Sequence, residues 1–188
     1  MAHRVLRRAD HTVMPWANGT GTTEEVARAD GPDGLDWRLS FATVAESGPF
    51  SALPGIDRVI TLVEGASLTL AVEGSEHVLV PFAPYRFRGE DHVVGTPEGA
   101  SVDFNVMTRR GRFTSTVASV ELTDGPTDEV VLDGAPAHGH RFVAVLDGSP
   151  RLGADLLGRY DVVRAGLEPL ALVGAGRVAV VDLLPVQG

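Results

Sequence analysis

The chain is punctuated too often to build long helices. Eleven short runs rich in valine and other strand formers lie between turn residues: Trp37–Val44, Val59–Val63, Leu68–Val72, His77–Val80, Tyr85–Arg88, Val102–Met107, Thr116–Leu122, Glu129–Leu132, Phe142–Leu146, Asp161–Arg164 and Val178–Leu184. Each is of strand length, and most alternate in character, as a half-buried strand requires. Tight-turn pairs separate many of them: Glu64-Gly65, Glu73-Gly74, Asp124-Gly125, Asp133-Gly134 and Asp147-Gly148. Such pairs supply the positive φ that a hairpin turn needs. No window of helix length carries a sustained 3.6-residue period, and the alternation of Thr22–Ala29 fits a strand as well as a short helix. The pattern predicts an all-β chain, built as barrels or sandwiches.

An internal repeat refines this. Arg58–Leu68 (RVITLVEGASL) resembles Arg141–Leu152 (RFVAVLDGSPRL). Downstream, Pro84 and Gly89 bracket YRFR, and Pro169 and Gly174 bracket LALV. Each copy closes with a valine-rich strand, SVDFNVM or RVAVVDLL. Two tandem β-units fit the 188 residues. Chance similarity between generic strand–turn–strand segments is the competing explanation.

Composition removes several chemistries. The absence of Cys excludes disulfides, thiol nucleophiles and thiolate metal sites. There is no Lys, so all 16 fixed cations are Arg, and no Schiff-base or P-loop lysine exists. A guanidinium grips a carboxylate through two parallel hydrogen bonds. A formal charge of −9 argues against binding polyanions, and no apolar run reaches the roughly 18 residues of a membrane span. The N-terminal MAHRVLRRAD has no apolar stretch behind its arginines, so a cytoplasmic protein is expected, with neither nucleic acid nor membrane as partner.

Four segments could carry chemistry. Alternation in DWRLSFATV puts Arg38 and Ser40 on one face, opposite Trp37, Leu39 and Phe41. In SVDFNVM the same rule puts Asp103 and Asn105 opposite Phe104 and Val106. If these polar faces look inward they converge with Arg58: Asp103 pairs one arginine, and the other is free for a ligand carboxylate. A solvated face or a closed Arg–Asp network is the alternative. Around MPWANGTGTTEEV, Trp16 can wall a pocket, with Asn18, Thr22 and Thr23 as hydrogen-bonding groups and Glu24 or Glu25 as a base. His138 and His140 have metal spacing if they lie on a strand, but no third ligand follows at a suitable distance, and an exposed loop pair is expected. The run Arg109-Arg110-Gly111-Arg112 reads as a solvated loop.

Met14-Pro15-Trp16-Ala17-Asn18-Gly19, Thr22-Thr23-Glu24-Glu25, Trp37-Arg38-Leu39-Ser40, Ser47-Gly48-Pro49-Phe50-Ser51, Gly55-Ile56-Asp57-Arg58 and Asp103-Phe104-Asn105-Val106-Met107 resemble, in that order, the motifs of the HutD/Ves family. The resemblance implies a bicupin, two cupin-like jelly-roll β-barrels in one chain. The first spans about residues 1–115 and holds the motif-bearing pocket; the second spans about 116–188, with strand exchange between them allowed. It also implies an association with bacterial histidine utilisation, where the family is thought to tune the pathway by sensing a formylated or carboxylate intermediate. By position, Trp16, Asn18, Thr22, Glu24, Arg38, Ser40, Arg58, Asp103 and Asn105 fall on family motif positions. The sequence departs at Ala17, where relatives usually carry Lys, and at Thr20, where they usually carry Gly. The expected protein binds a small carboxylate, needs no metal or other cofactor, and is compatible with a homodimer. The competing functions are a metal-dependent cupin oxygenase or isomerase using His138 and His140, and a protein-interaction module.

Overall fold

In a computed structural model, residues 2–16, 19, 21–123, 125 and 128–187 are described. The chain divides into two compact units, His11–Phe113 and a second made of Met1–Asp10 with Thr114–Gly188. A short strand, β1 (Arg4–Leu6), begins the chain. The first unit then contains β2 (Thr12–Pro15), β3 (Gly21–Gly31), β4 (Gly34–Val44), β5 (Gly48–Pro49), β6 (Ile56–Glu64), β7 (Leu68–Val72), β8 (Ser75–Val78), β9 (Pro84–Arg88), β10 (Val93–Pro97) and β11 (Ser101–Arg109). The remaining strands are β12 (Phe113–Leu122), β13 (Glu129–Leu132), β14 (His140–Gly148), β15 (Arg151–Leu152), β16 (Asp155–Leu156), β17 (Val162–Arg164), β18 (Leu170–Val173) and β19 (Gly176–Pro185). The segment 22–29, ambiguous by pattern, is strand.

The first unit is a six-stranded sheet, β2-β3-β4-β11-β6-β9, and a four-stranded sheet, β5-β10-β7-β8. Ile60, Leu62 and Phe87 of the larger sheet pack against Leu68, Leu70 and Val93 of the smaller one. The other unit repeats this plan, with sheets β1-β17-β14-β19-β12 and β13-β18-β15-β16. Val143, Val145, Val163 and Val178 there meet Leu170 and Leu172. Among the described residues the sheets of neither unit close into one ring of strands, so each unit is a pair of open sheets over an apolar core.

The sheet orders identify the repeat strand by strand. In the larger sheets β6, β9 and β11 stand where β14, β17 and β19 stand; in the smaller ones β7 and β10 stand where β15 and β18 stand. The turns after β6 and β14 both need glycine: φ is 112° at Gly65 and 79° at Gly148. A Cβ on Gly65 would lie 2.9 Å from the Ser101 side chain, and one on Gly148 would strike the Ala175 carbonyl. One part of the sequence reading changes. YRFR is β9 of a larger sheet and LALV is β18 of a smaller one, so the two proline–glycine brackets are not equivalent. A generic strand between Pro and Gly carries no register.

The N-terminal ten residues, expected with the first unit, belong with the other. β1 pairs antiparallel with β17. The Arg7 guanidinium donates to Asp161 at 2.8 Å and to the Leu156 carbonyl at 2.7 Å, and the Arg8 amide donates to Asp161 at 2.8 Å. No helix among the described residues is long and apolar enough to cross a membrane.

Candidate functional site

Strand pairing in the first unit determines which side chains meet. On β11, Asn105 lies opposite Ser40 of β4 and Ile60 of β6, and Met107 lies opposite Arg38 and Arg58. The period of two therefore places Arg38, Ser40, Arg58, Asp103, Asn105 and Met107 on one inner face. They line a cavity of about 440 Å³. Trp16, Met14, Phe50 and Leu53 form its apolar walls. The Trp16 indole N–H donates to Thr23 Oγ1 at 2.9 Å, which fixes the ring against the rim.

Arg58 dominates the electrostatics. It is 7% exposed, with its guanidinium carbon 4.8 Å from the Phe87 ring centroid and 5.2 Å from that of Phe50. Two rings thus hold the guanidinium. Its Nη2 donates to Asn105 Oδ1 at 3.0 Å, and the Asn105 amide donates in turn to Asp103 Oδ1. Asp103 reaches Arg58 through Asn105 rather than by a direct ion pair. Burial pulls Arg58 down to about 10, against the attraction of Asp103, and Arg38 lowers it further. Burial likewise lowers Arg38, whose Nη2 rests 3.3 Å from Met107 Sδ. The Nε atoms of both arginines are buried without a hydrogen-bond partner. Burial pushes Asp103 up to about 7, against the opposing pull of Arg58 and the Asn105 hydrogen bond. Its Oδ2 is also buried without a partner.

The motif residues of β3 divide by face. Thr23 and Glu25 lie opposite Ala42 and Ser40 and share the cavity's side of the sheet. Thr23 lines the cavity, while Glu25 raises Arg38 electrostatically and lies 3.8 Å from Arg28. Thr22 and Glu24 alternate to the other side; Glu24 lies opposite Phe41 and 3.9 Å from the His11 ring. Neither lines the cavity, because a strand sends adjacent side chains to opposite faces. Asn18 lies outside the described residues, as do Ala17 and Thr20. Phe50, Leu53 and Phe87 were not singled out from sequence, since apolar walls carry no chemical signature; the proximity of Phe50 to Gly48-Pro49 within a family motif was the available signal.

The other candidates resolve differently. His138 lies on an exposed turn and only His140 starts β14, so the shared strand face that a metal pair needs is missing. His140 Nδ1 lies 3.3 Å from the Arg164 guanidinium. No group of three His, Asp or Glu side chains placed to hold a metal ion occurs among the described residues. The arginine loop is pinned rather than loose. Arg109 donates to the Leu35 carbonyl at 3.1 Å, Arg110 pairs with Asp57 and Glu90, both at 2.7 Å, and Arg112 grips Asp36 at 2.5 and 3.0 Å.

Comparison with known proteins gives a consistent picture. The family profile described as HutD matches residues 8–154. A 21.2 kDa protein from the hutC 3′ region of Pseudomonas putida is 34% identical over an alignment 193 positions long, which covers 96% of this chain and 97% of that protein. Protein Ves of Cronobacter sakazakii is 38% identical over 111 residues, 57% of this chain and 61% of its own length. Among solved structures, HutD from Pseudomonas fluorescens SBW25, in a formate condition, superimposes with a TM-score of 0.82 at 31% identity, covering 99% of this chain and all of that one. The cupin-like YhhW of Escherichia coli shares the fold alone, with a TM-score of 0.72 at 7% identity and 99% coverage of both chains.

Proposed function

The chain belongs to the HutD/Ves family, and from that premise we propose that it binds a small carboxylate or formylated amino acid in the cavity of the first unit, as a regulatory protein of histidine utilisation. The two units are the two halves of a bicupin, and only the first serves as the receptor. Binding requires no metal. The observation that carries the reading is the pair Arg38 and Arg58. Arg58 is buried and Arg38 half-buried, Arg38 weakens the hold of Arg58 on its proton, and both side chains line the 440 Å³ cavity. A carboxylate placed beside them relieves that repulsion and accepts charge-assisted hydrogen bonds from the guanidiniums. The volume suits a small metabolite, near the lower end of ligand sites. Trp16 and Phe50 offer apolar surface for its carbon skeleton. The formate condition of the Pseudomonas fluorescens HutD structure and the hutC-adjacent relative favour the same ligand class and pathway.

The test is thermal unfolding with formate, N-formyl-L-glutamate and a panel of other carboxylates. A ligand at about 100 times its Kd stabilises by roughly 2.7 kcal/mol, a Tm rise of about 5–10 °C for a chain of this size. Arg38→Ala and Arg58→Lys should each lose most of that rise. Absence of stabilisation by every carboxylate, or a rise unchanged in both variants, rejects the assignment.

A further inference from the structure

The two units differ at one place in a way that bears on Asp103. Arg58 and Arg141 occupy the same position of the repeat, on β6 and β14. On β19, Asp182 stands opposite Arg141 and takes it in a closed fork, with Nε and Nη2 at 2.7 and 2.8 Å from the two carboxylate oxygens. The residue opposite Arg58 is Met107. The carboxylate of this unit sits four residues earlier on β11, at Asp103 opposite Leu62, where β19 carries Val178 opposite Val145. The first unit thus lacks the fork and instead carries the Asp103 carboxyl group, 1% exposed, with Oδ2 buried without a hydrogen-bond partner, in a residue that lines the cavity.

We propose that Asp103 is a second recognition group of this cavity, meeting the ligand as a neutral carboxylic acid that donates from Oδ2 to a carbonyl oxygen, so that the ligand carboxylate and one proton are taken up together. This rests on the carboxylate reading above and adds a requirement to it: the ligand presents an anionic group to Arg38 and Arg58 and an acceptor oxygen to Asp103. Asn105 donates to Oδ1, which leaves Oδ2 as the oxygen that carries the proton. The surroundings set the balance of charge. Asn105 faces Asp103 from its own strand, Ser40 and Arg38 from β4, Arg58 from β6, and Thr23 and Glu25 lie on the same side of β3. The packing from the smaller sheet, Leu68, Leu70 and Val93, is apolar. A ligand anion beside Asp103 adds a second negative charge to the cavity and so disfavours the ionised form of the Asp103 carboxyl. Burial already holds Asp103 at about 7, against the pull of Arg58.

Calorimetric titration of N-formyl-L-glutamate and formate into the full chain, in buffers of different ionisation enthalpy, tests this. The probes' own carboxylates titrate near pH 4, below the window used. Near pH 8 the protein should take up close to one proton per ligand, with affinity flat from about pH 5.5 to 6.5 and falling up to tenfold per pH unit above 7. Asp103→Asn keeps a neutral donor, so it should bind at all these pH values about as tightly as the parent does at pH 6, with no proton uptake. Asp103→Val, the residue found at this position in the other unit, should bind the formyl compound at least tenfold more weakly at pH 6. Flat parental affinity to pH 8 without proton uptake overturns the proposal, as does a pH slope retained in Asp103→Asn or full binding by Asp103→Val. The parental titration needs no variant, so a variant that fails to fold does not shield the proposal. Parental binding that is flat with pH leaves the carboxylate assignment standing; no binding of either probe at any pH rejects both.

Discussion

Asp103 also governs the stability of the ligand-free protein, and Asp103→Asn exposes the effect. In the unfolded chain the carboxyl titrates near 3.8, and in the folded one near 7. A folded value above the unfolded one means that the native state binds the proton more tightly. The contribution is therefore fully favourable below about pH 4 and is lost as pH rises through 7. Three units at 1.36 kcal/mol each set a ceiling of about 4 kcal/mol; between pH 4.5 and 8 the loss is about 3 kcal/mol. The group is fully buried, so solvent screening takes little from this. Asparagine cannot ionise, and its carbonyl can accept the Asn105 hydrogen bond in place of Oδ1. The stability of Asp103→Asn minus that of the parent should thus rise by about 3 kcal/mol from pH 4.5 to 8, because only the parent carries the buried charge. Urea unfolding of both proteins at half-unit steps of pH, with m-values checked for constancy, measures the difference directly. Carboxylates elsewhere titrate alike in both proteins and cancel. A difference that stays level within about 0.5 kcal/mol, or falls with pH, refutes the reasoning.

Further outcomes follow from other parts of the molecule. Leu70→Ala, at a fully buried position of the first unit's core, should cost about 2–5 kcal/mol by denaturant unfolding; a loss below 1 would contradict that packing. Asp182→Asn should destabilise by about 1–3 kcal/mol because it leaves the half-buried Arg141 without its anion, while Arg141→Met with Asp182→Leu should recover most of that loss. A double variant no better than the single one would show that the fork itself is stabilising. Gly21→Ala places a Cβ against the Thr43 carbonyl and 2.9 Å from the Trp16 ring; it should shift tryptophan fluorescence and weaken carboxylate binding, whereas an unchanged spectrum would place Trp16 elsewhere.

The strand content and the repeat were readable because both rest on local rules. Alternation in DWRLSFATV and SVDFNVM put Arg38, Ser40, Asp103 and Asn105 on the face they occupy, since the opposite faces are strongly apolar and a half-buried strand permits one phase. The same rule was silent for Thr22-Thr23-Glu24-Glu25, where both faces are polar and only pairing with β4 assigns the phase. The β3–β4 register also shifts between Glu25 and Ala27, which no sequence pattern announced. Whether Asp103 closes onto an arginine depended on the register of β11 against β6, which sets Met107 rather than Asp103 opposite Arg58 and is a tertiary quantity. The arginine loop is exposed, as expected, at Arg110, Gly111 and Arg112; its pinning was not legible because its anchors, Asp36, Asp57 and the Leu35 carbonyl, lie more than fifty residues away in sequence.

On the carboxylate reading, the contrast between Met107 and Asp182 would set heat resistance against ligand capture at a single position. An acidic side chain at 107 would neutralise the buried Arg58, as Asp182 neutralises Arg141, and would stabilise the first unit. It would also act as a tethered competitor, present at far higher local concentration than any metabolite in solution. A library selected for thermal tolerance without ligand would enrich aspartate or glutamate there, and the survivors would be folded, robust and unable to bind.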